Sequence, residues 1–290
     1  MKKITASLLL VAMAIVSLNS CKSNGKSGDG YVLKMRLAKG DKFGQDYAMD
    51  MNMNVTMAGM SKDMKVKMNA GTDFEVLDST AAGKELKITY TKMDMTMDMG
   101  MGNNELTDSI MKKTGDRVVG KSVVLTLSGN KVTDVKGFNE IMIGDSADAN
   151  TKMTMEKMFS KDNFNSMFGM MFSLYPSKPV KEGESWTAEN QIDMNGVAMN
   201  VNTKYTLLSV KDGIAEIELD GTINSKGTMT QGGTNVEMDM KGTQKGKMEV
   251  KVADGYLKSG NYDMDVDAQM GVMGQKVPMK MKANYKLTGK

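Results

Sequence analysis

The sequence predicts a mainly β, antiparallel protein, barrel-like or sandwich, built from two related halves with a helical insert between them. Three observations carry this. Long stretches alternate apolar and polar residues with a period of two, glycine-containing reversals separate those stretches, and the turn motifs of the first half recur in the second. A strand sends alternate side chains to opposite faces, so each stretch is expected to present one apolar and one polar face. The pattern leaves open whether the sheets close as a barrel or stack as a sandwich.

The chain opens Met1-Lys2-Lys3 and runs apolar for 15 residues, from Ile4 to Leu18, ahead of Leu18-Asn19-Ser20-Cys21. A basic start, a short apolar core and a small residue before the cut describe a secretory signal peptide over 1–20. Cys21 is the only cysteine. It stands where a bacterial lipobox places the residue that is acylated, so lipidation at Cys21, with a palmitate-type anchor, is the expected modification. The small polar residues of 21–30 read as a flexible tether. No acidic cluster follows Cys21, which favours a periplasm-facing anchor in the outer membrane over surface export.

After residue 20 the chain carries 36 basic and 35 acidic residues. That balance gives no electrostatic reason to expect nucleic acid as a partner. The same segment holds 32 Met against 13 Leu and 8 Ile, so methionine is its main large aliphatic residue.

Strand patterns begin at Tyr31. Lys39-Gly40-Asp41-Lys42-Phe43 makes a turn and a strand start. Met49, Met51, Met53, Val55 and Met57 then alternate with polar residues and return through Met64, Val66 and Met68. Leu86, Ile88 and Tyr90 are even-numbered, whereas Met93, Met95, Met97, Met99 and Met101 are odd. One strand keeps both sets on one face only with an extra residue between them, which predicts a β-bulge near Thr91-Lys92. Beyond it, Met95, Met97 and Met99 fall opposite Met68, Val66 and Met64 as one apolar column on two strands.

A short helix is expected over 103–115, then strands over 118–127 and through Val132 and Val135. Residues 138–179 read as the helical insert. One helix is expected over 154–161, and a second starts at the N-cap Asp162 with Phe164, Met167, Phe168, Met171 and Tyr175 at helical spacing. Pro176 and Pro179 end it. In the second β half, 180–290, Gly183-Glu184-Ser185-Trp186 echoes Gly40-Asp41-Lys42-Phe43, and Tyr205-Thr206-Leu207-Leu208 echoes Phe74-Glu75-Val76-Leu77. Asn195-Gly196 and Asp212-Gly213 are strong hairpin dipeptides. The first β half is placed at 31–137.

The opening Tyr-Val-Leu-Lys-Met-Arg-Leu-Ala-Lys-Gly-Asp-Lys-Phe resembles a group of uncharacterised secreted lipoproteins of Bacteroidota. So do Leu-Ser-Gly-Asn-Lys-Val-Thr-Asp-Val-Lys-Gly near residue 130 and Tyr-Pro-Ser-Lys-Pro-Val-Lys-Glu-Gly-Glu-Ser-Trp at 175–186. The resemblance covers most of the chain after Cys21. It implies a lipoprotein with a duplicated β architecture and no assigned activity.

Catalytic chemistry finds little support in the residues. The chain has no histidine, which removes Ser-His-Asp and Cys-His nucleophilic sites and His-ligated zinc. Ser-x-x-Lys occurs at Ser109–Lys112 and Ser128–Lys131, as expected by chance in a chain rich in both. Asp263-Met264-Asp265-Val266-Asp267 starts like a calcium loop, but Ala268 replaces the required Gly and Gly274 the closing Glu. The expectation is a protein that is not an enzyme and carries no cofactor. Methionine remains. Pliable thioethers suit a cavity for variable apolar ligands, and a curved sheet with a helical lid resembles the periplasmic carriers that hold acyl chains. The candidate lining is Met64, Val66, Met68, Met93, Met95, Met97, Met99, Met101, Phe164, Phe168 and Met171. Expected partners are a membrane, through the anchor, and an apolar small molecule or lipid. The alternatives are Cu(I) or Ag(I) bound by thioethers and a purely structural lipoprotein.

Overall fold

The structure, a computed structural model, describes residues 26–28, 30–57, 59–98, 100, 112, 115–129, 131–137, 161–194, 197–231, 234–272 and 275–290. The expected signal peptide, Cys21, Met99, Met101, Asn195-Gly196 and the helix expected from Thr154 lie outside the described residues. So does most of the helix expected over 103–115, of which residues 112 and 115 are described and helical.

Two short strands, β1 (Lys26–Ser27) and β2 (Gly30–Tyr31), pair with each other at the end of the stretch, 21–30, expected to be a flexible tether. The remaining strands are β3 (Lys42–Met57), β4 (Met60–Ser79), β5 (Lys84–Asp98), β6 (Ser122–Ser128), β7 (Lys131–Lys136), β8 (Ser185–Met194), β9 (Val197–Lys211), β10 (Ile214–Gln231), β11 (Thr234–Lys251), β12 (Leu257–Val272) and β13 (Gln275–Gly289). They form one antiparallel sheet in the order β7-β6-β5-β4-β3-β13-β12-β11-β10-β9-β8. The chain runs outward from β3 to the edge strand β7. It restarts at the opposite edge with β8 and returns, so that β13 closes against β3. This single open sheet is neither a closed barrel nor a two-sheet sandwich. The helix α1 (Lys161–Ser173) touches both edge strands, β7 and β8.

Side-chain parity organises the sheet. On the long strands the buried apolar side chains recur at alternate positions, and the pairing aligns them on one face, the inner face. On the outer face opposite charges meet in register: Asp50 with Lys67, Asp220 with Lys245, and Asp265 with Lys282 at 2.9 Å. These pairs are exposed and individually worth under about 1 kcal/mol. A one-residue slip, however, moves every charged residue of a strand to the inner face, so together they oppose misregistration. Between β4 and β5, Gly71 pairs Lys92 while Thr72 pairs Tyr90, which leaves Thr91 as an extra residue. This is the bulge expected from the parity switch. It keeps Ile88 and Tyr90 on the same face as Met93, Met95 and Met97.

The two halves repeat in detail. Leu77 bulges from β4 and Leu208 from β9, each one residue after a buried aliphatic, Val76 or Leu207. Gly40 N donates to Val76 O and Val76 N to Asp41 O; Gly183 N donates to Leu207 O and Leu207 N to Glu184 O. The acid of each turn accepts from the backbone three residues earlier, Asp41 from Ala38 and Glu184 from Lys181, both at 2.8 Å. Thr133 bulges from β7 and Lys258 from β12. Aromatic pairs occupy matching positions, Phe43 stacked on Phe74 and Trp186 on Tyr205. At Asp212-Gly213 both residues have positive φ, the geometry of a type I′ hairpin.

One end of the strands, here called the base, is sealed. Residues 31–41 cross the inner face there. Leu33 enters one buried cluster with Leu207, Ile217 and Val250, and Leu37 enters another with Val76, Leu86 and Leu125. The crossing is pinned by hydrogen bonds: Tyr31 exchanges two with Val180, Arg36 N donates to Asp254 O, and Leu37 O accepts from Ser79 Oγ and Lys84 Nζ. The Arg36 guanidinium donates to the carbonyls of Val252 and Ala253. From the other side α1 presses Phe164 and Phe168 onto the first half of the sheet. Asn165 holds the exposed edge of β7, accepting from Val132 N at 2.7 Å and donating to Val132 O at 3.1 Å.

Gly255 lies where the 31–41 crossing touches the sheet. Its φ is +79°, and a Cβ there runs into the Lys34 carbonyl oxygen. Gly183 has a similar φ of +86° but open space around it. Left-handed strain alone costs about 1–3 kcal/mol. Gly255→Ala is therefore expected to lower stability by more than Gly183→Ala, measured by denaturant unfolding of both variants. Equal losses contradict the sealed base.

Candidate functional site

The inner face changes character along the strands. At the base it is built from Leu, Ile, Val and Phe, whose restricted rotamers suit a sealed core. Leu86, Val123, Leu125, Leu127, Leu207, Ala215, Ile217 and Val250 are fully buried. Toward the opposite end, the rim, the face of the first half is set with methionine, whereas that of the second half carries a buried cluster of Val197, Ile223, Val236, Met238, Met240 and Val266 with methionines packed against it. Met49, Met51 and Met53 on β3, Met64 and Met68 on β4, and Met93, Met95 and Met97 on β5 are all half-buried. Met199, Met264, Met270, Met279 and Met281 are half-buried in the second half. Met49, Met68 and Met95 stand directly opposite one another on three adjacent strands, as do Met53 and Met64 on two.

The predicted lining therefore separates into two places. Met64, Val66, Met68, Met93, Met95 and Met97 form the expected two-strand column, with Met68 opposite Met95 and Val66 opposite Met97. Val66 is buried and the methionines are half-buried, whereas α1 and the 31–41 crossing pack at the base. Phe164 and Phe168 are buried in the base cluster with Met171 packed against it. The expected helical lid over the methionines is instead a plug at the base. The stripe of aromatic residues on α1 found deeper aliphatic surface on β5, β6 and β7 than the methionines offer. Met99 and Met101, which would extend the column, lie outside the described residues.

Charge is concentrated on the outer face. By register, no charged side chain of β3–β13 falls on the inner face, apart from Lys62 at the rim, Lys84 at the base and Lys258 at a bulge. Polar groups form a band between base and rim. Gln244 Nε2 donates to Thr203 Oγ1 at 2.7 Å across Gly221, where a Cβ would meet both side chains. Tyr262 stacks on Tyr285 at 4.6 Å between ring centroids, and Tyr47 lies 5.9 Å from Tyr285. Burial raises the ionisation of all three phenols above the ordinary phenol range, and the neighbouring phenols raise Tyr47 and Tyr262 further. They remain neutral donors through the physiological range. Sequence reasoning did not single these tyrosines out. Their parity carried the signal: Tyr47 shares a face with Met49, Tyr262 with Met264, and Tyr285 with Met281.

Two shallow depressions lie elsewhere. One is lined mainly by Asp50, Asn52, Asp263, Asp265 and Lys282, the other by Glu216, Lys247, Glu249 and Ser259. Both open on the charged outer face, and neither includes a residue of β4 or β5.

The gradient of burial predicts a gradient of oxidation. Met60, at the tip of the β3–β4 hairpin, is 67% exposed, whereas Met240 and Met248 are 5% and 9% exposed. Under mild peroxide Met60 is expected to convert first, Met93, Met95 and Met97 at an intermediate rate, and Met240 and Met248 last, read by peptide mapping. Equal rates for Met95 and Met60 contradict the inward-facing column.

Comparison with known proteins yields a family and distant structural likenesses. No curated protein matches the sequence. Lipovitellin, from a structure titled for its lipid–protein interactions, is similar at 10% identity and a TM-score of 0.47. The match covers 88% of this chain and 25% of lipovitellin, so the chain spans a quarter of that protein's length. An outer membrane channel from Pseudomonas putida F1 is similar at 7% identity and a TM-score of 0.20, covering 91% of this chain and 99% of the channel. The OccK2 (OpdF) structure from Pseudomonas aeruginosa is similar at 5% identity and 0.23, covering 86% and 98%. Likenesses this distant assign no ligand to this chain. The sequence does match a family model across residues 81–257, more than half of its length, and the protein belongs to that family, DUF6263, a family of unknown function.

Proposed function

We propose that the protein is a lipid-anchored component of the cell envelope that holds an apolar ligand on its methionine-lined inner face and catalyses no reaction. The observation that carries this reading is the contrast along the inner face of β3–β5, which passes from sealed branched aliphatics at the base to half-buried methionines toward the rim, with charge almost confined to the outer face. A sheet that needed methionine only as core filler has no reason to leave so many thioethers half-exposed on one face. Unbranched, polarizable side chains adjust to ligands of varied shape at small conformational cost, and each buried methylene of a bound chain contributes about 0.8 kcal/mol. An anchor at Cys21, five residues ahead of β1, keeps the site near a membrane in this reading. The absence of an acidic cluster after Cys21 supports the periplasmic side of the outer membrane.

The row Met49, Met68 and Met95 favours one second reading, a soft-metal site for Cu(I) or Ag(I), since three thioethers on neighbouring strands present the ligands such ions select.

One preparation separates the two. The Cys21→Ser protein, released from its anchor and taken from the envelope without detergent, is examined by native mass spectrometry. The ligand reading expects an organic adduct of several hundred daltons that organic extraction removes. A copper or silver adduct in its place favours the metal site. Protein that is free of adducts and does not take up a fluorescent apolar probe contradicts both. In parallel, labelled palmitate is expected on the wild-type chain and absent from Cys21→Ser.

A further inference from the structure

The tyrosine band gives the ligand a polar end. Tyr47 on β3, Tyr285 on β13 and Tyr262 on β12 occupy three adjacent strands at the seam where the first and last long strands meet. Tyr262 and Tyr285 are directly opposite in register, and Tyr47 is opposite Leu287, one inner-face position closer to the base. Rimward of them the face continues as Met49, Met51 and Met53 on β3 and Ala283 and Met281 on β13. Baseward it ends at the sealed end, where Phe43 stacks on Tyr256.

Tyr47, Tyr262 and Tyr285 are half-buried. Among the described residues no fully buried side-chain oxygen lacks a partner, so their hydroxyls, which make no hydrogen bond to a described residue, open onto the inner face and are free to donate to a ligand there. The phenols of the base are engaged: Tyr256 lies 2.8 Å from both Arg36 O and Asp41 Oδ2, and Tyr175 donates to Gly255 O. Among the described residues no cation stands beside Tyr47, Tyr262 and Tyr285 on the inner face to balance an anion.

We propose that Tyr47, Tyr262 and Tyr285 donate hydrogen bonds to an uncharged carbonyl oxygen, of an ester or comparable group, at one end of an amphiphile whose chain lies along the methionines toward the rim. This rests on the apolar-ligand reading and adds to it the chemistry and orientation of the ligand. A carboxylate is disfavoured, because three neutral donors without a cation do not repay its desolvation. A hydrocarbon binds without engaging the tyrosines.

The test displaces the fluorescent apolar probe N-phenyl-1-naphthylamine from the folded protein with methyl decanoate, decanoate or decane. The comparison is between wild type and the triple variant Tyr47→Phe, Tyr262→Phe, Tyr285→Phe. Phenylalanine keeps the rings and their stacking, and circular dichroism checks the fold. Tyr285→Phe alone serves if the triple variant does not fold. The expected result is that wild type prefers methyl decanoate to decanoate. The triple variant loses about tenfold in affinity for the ester, the scale of one or two hydrogen bonds, and is unchanged toward decane. If ester and decane bind wild type and variant alike, or if decanoate binds as tightly as the ester, the tyrosine proposal is overturned while the methionine site stands. If the probe and all three compounds fail to bind wild type, the apolar-ligand reading falls with it.

Discussion

Everything in this structure depends on side-chain parity held across eleven strands. Eight of the eleven are 15 to 20 residues long, and the sheet's inner and outer faces are chemically opposite only if no strand slips by one residue. The chain meets that demand in two ways. Opposite charges face each other across the outer surface, and bulges at Leu77, Thr91, Thr133, Leu208 and Lys258 absorb the points where the alternation changes phase. Four of the five form two equivalent pairs, Leu77 with Leu208 and Thr133 with Lys258. The strand order agrees, since β3 to β7 and β8 to β12 cross the sheet in the same direction with β13 between them. These are the marks expected of a repeated five-stranded unit completed by one extra strand.

The second constraint is where the inner face is covered. The 31–41 crossing and α1 carry large, stiff side chains to the base and bury them against equally stiff partners. Such packing is close to crystalline in density and tolerates little rearrangement. The methionines lie beyond this plug. Flexible side chains at half-exposed positions make a surface that can repack, and the tyrosine band marks the boundary between the two regimes.

Much of this was readable in the sequence, because period two is a strong signal when it persists for fifteen residues. The switch from even Leu86, Ile88 and Tyr90 to odd Met93 required an extra residue, and Thr91 supplies it. The turn motifs at Gly40 and Gly183 announced the repeat. Closure was not readable, because alternation says which face is apolar and nothing about how far a sheet curls. Nor was the place of the helix: its spacing identified Phe164, Phe168 and Met171 as an apolar stripe, but a stripe does not name the surface it packs on. The tyrosines went unremarked because a hydroxylated ring at an inward position looks like any other core residue until its neighbours across the seam between β3 and β13 are known. That pairing joins the two ends of the chain.

The central claim is that the rim half of the inner face binds apolar chains while the base does not. Methyl-labelled methionine reports on both regions in one spectrum. With [methyl-13C]methionine incorporated and resonances assigned by substitution, titration with methyl decanoate is expected to shift Met51, Met53 and Met95 and to leave buried Met248 and exposed Met60 unmoved. Unchanged rim methyls at saturating ester, or equal shifts at Met60 and Met53, would contradict the account.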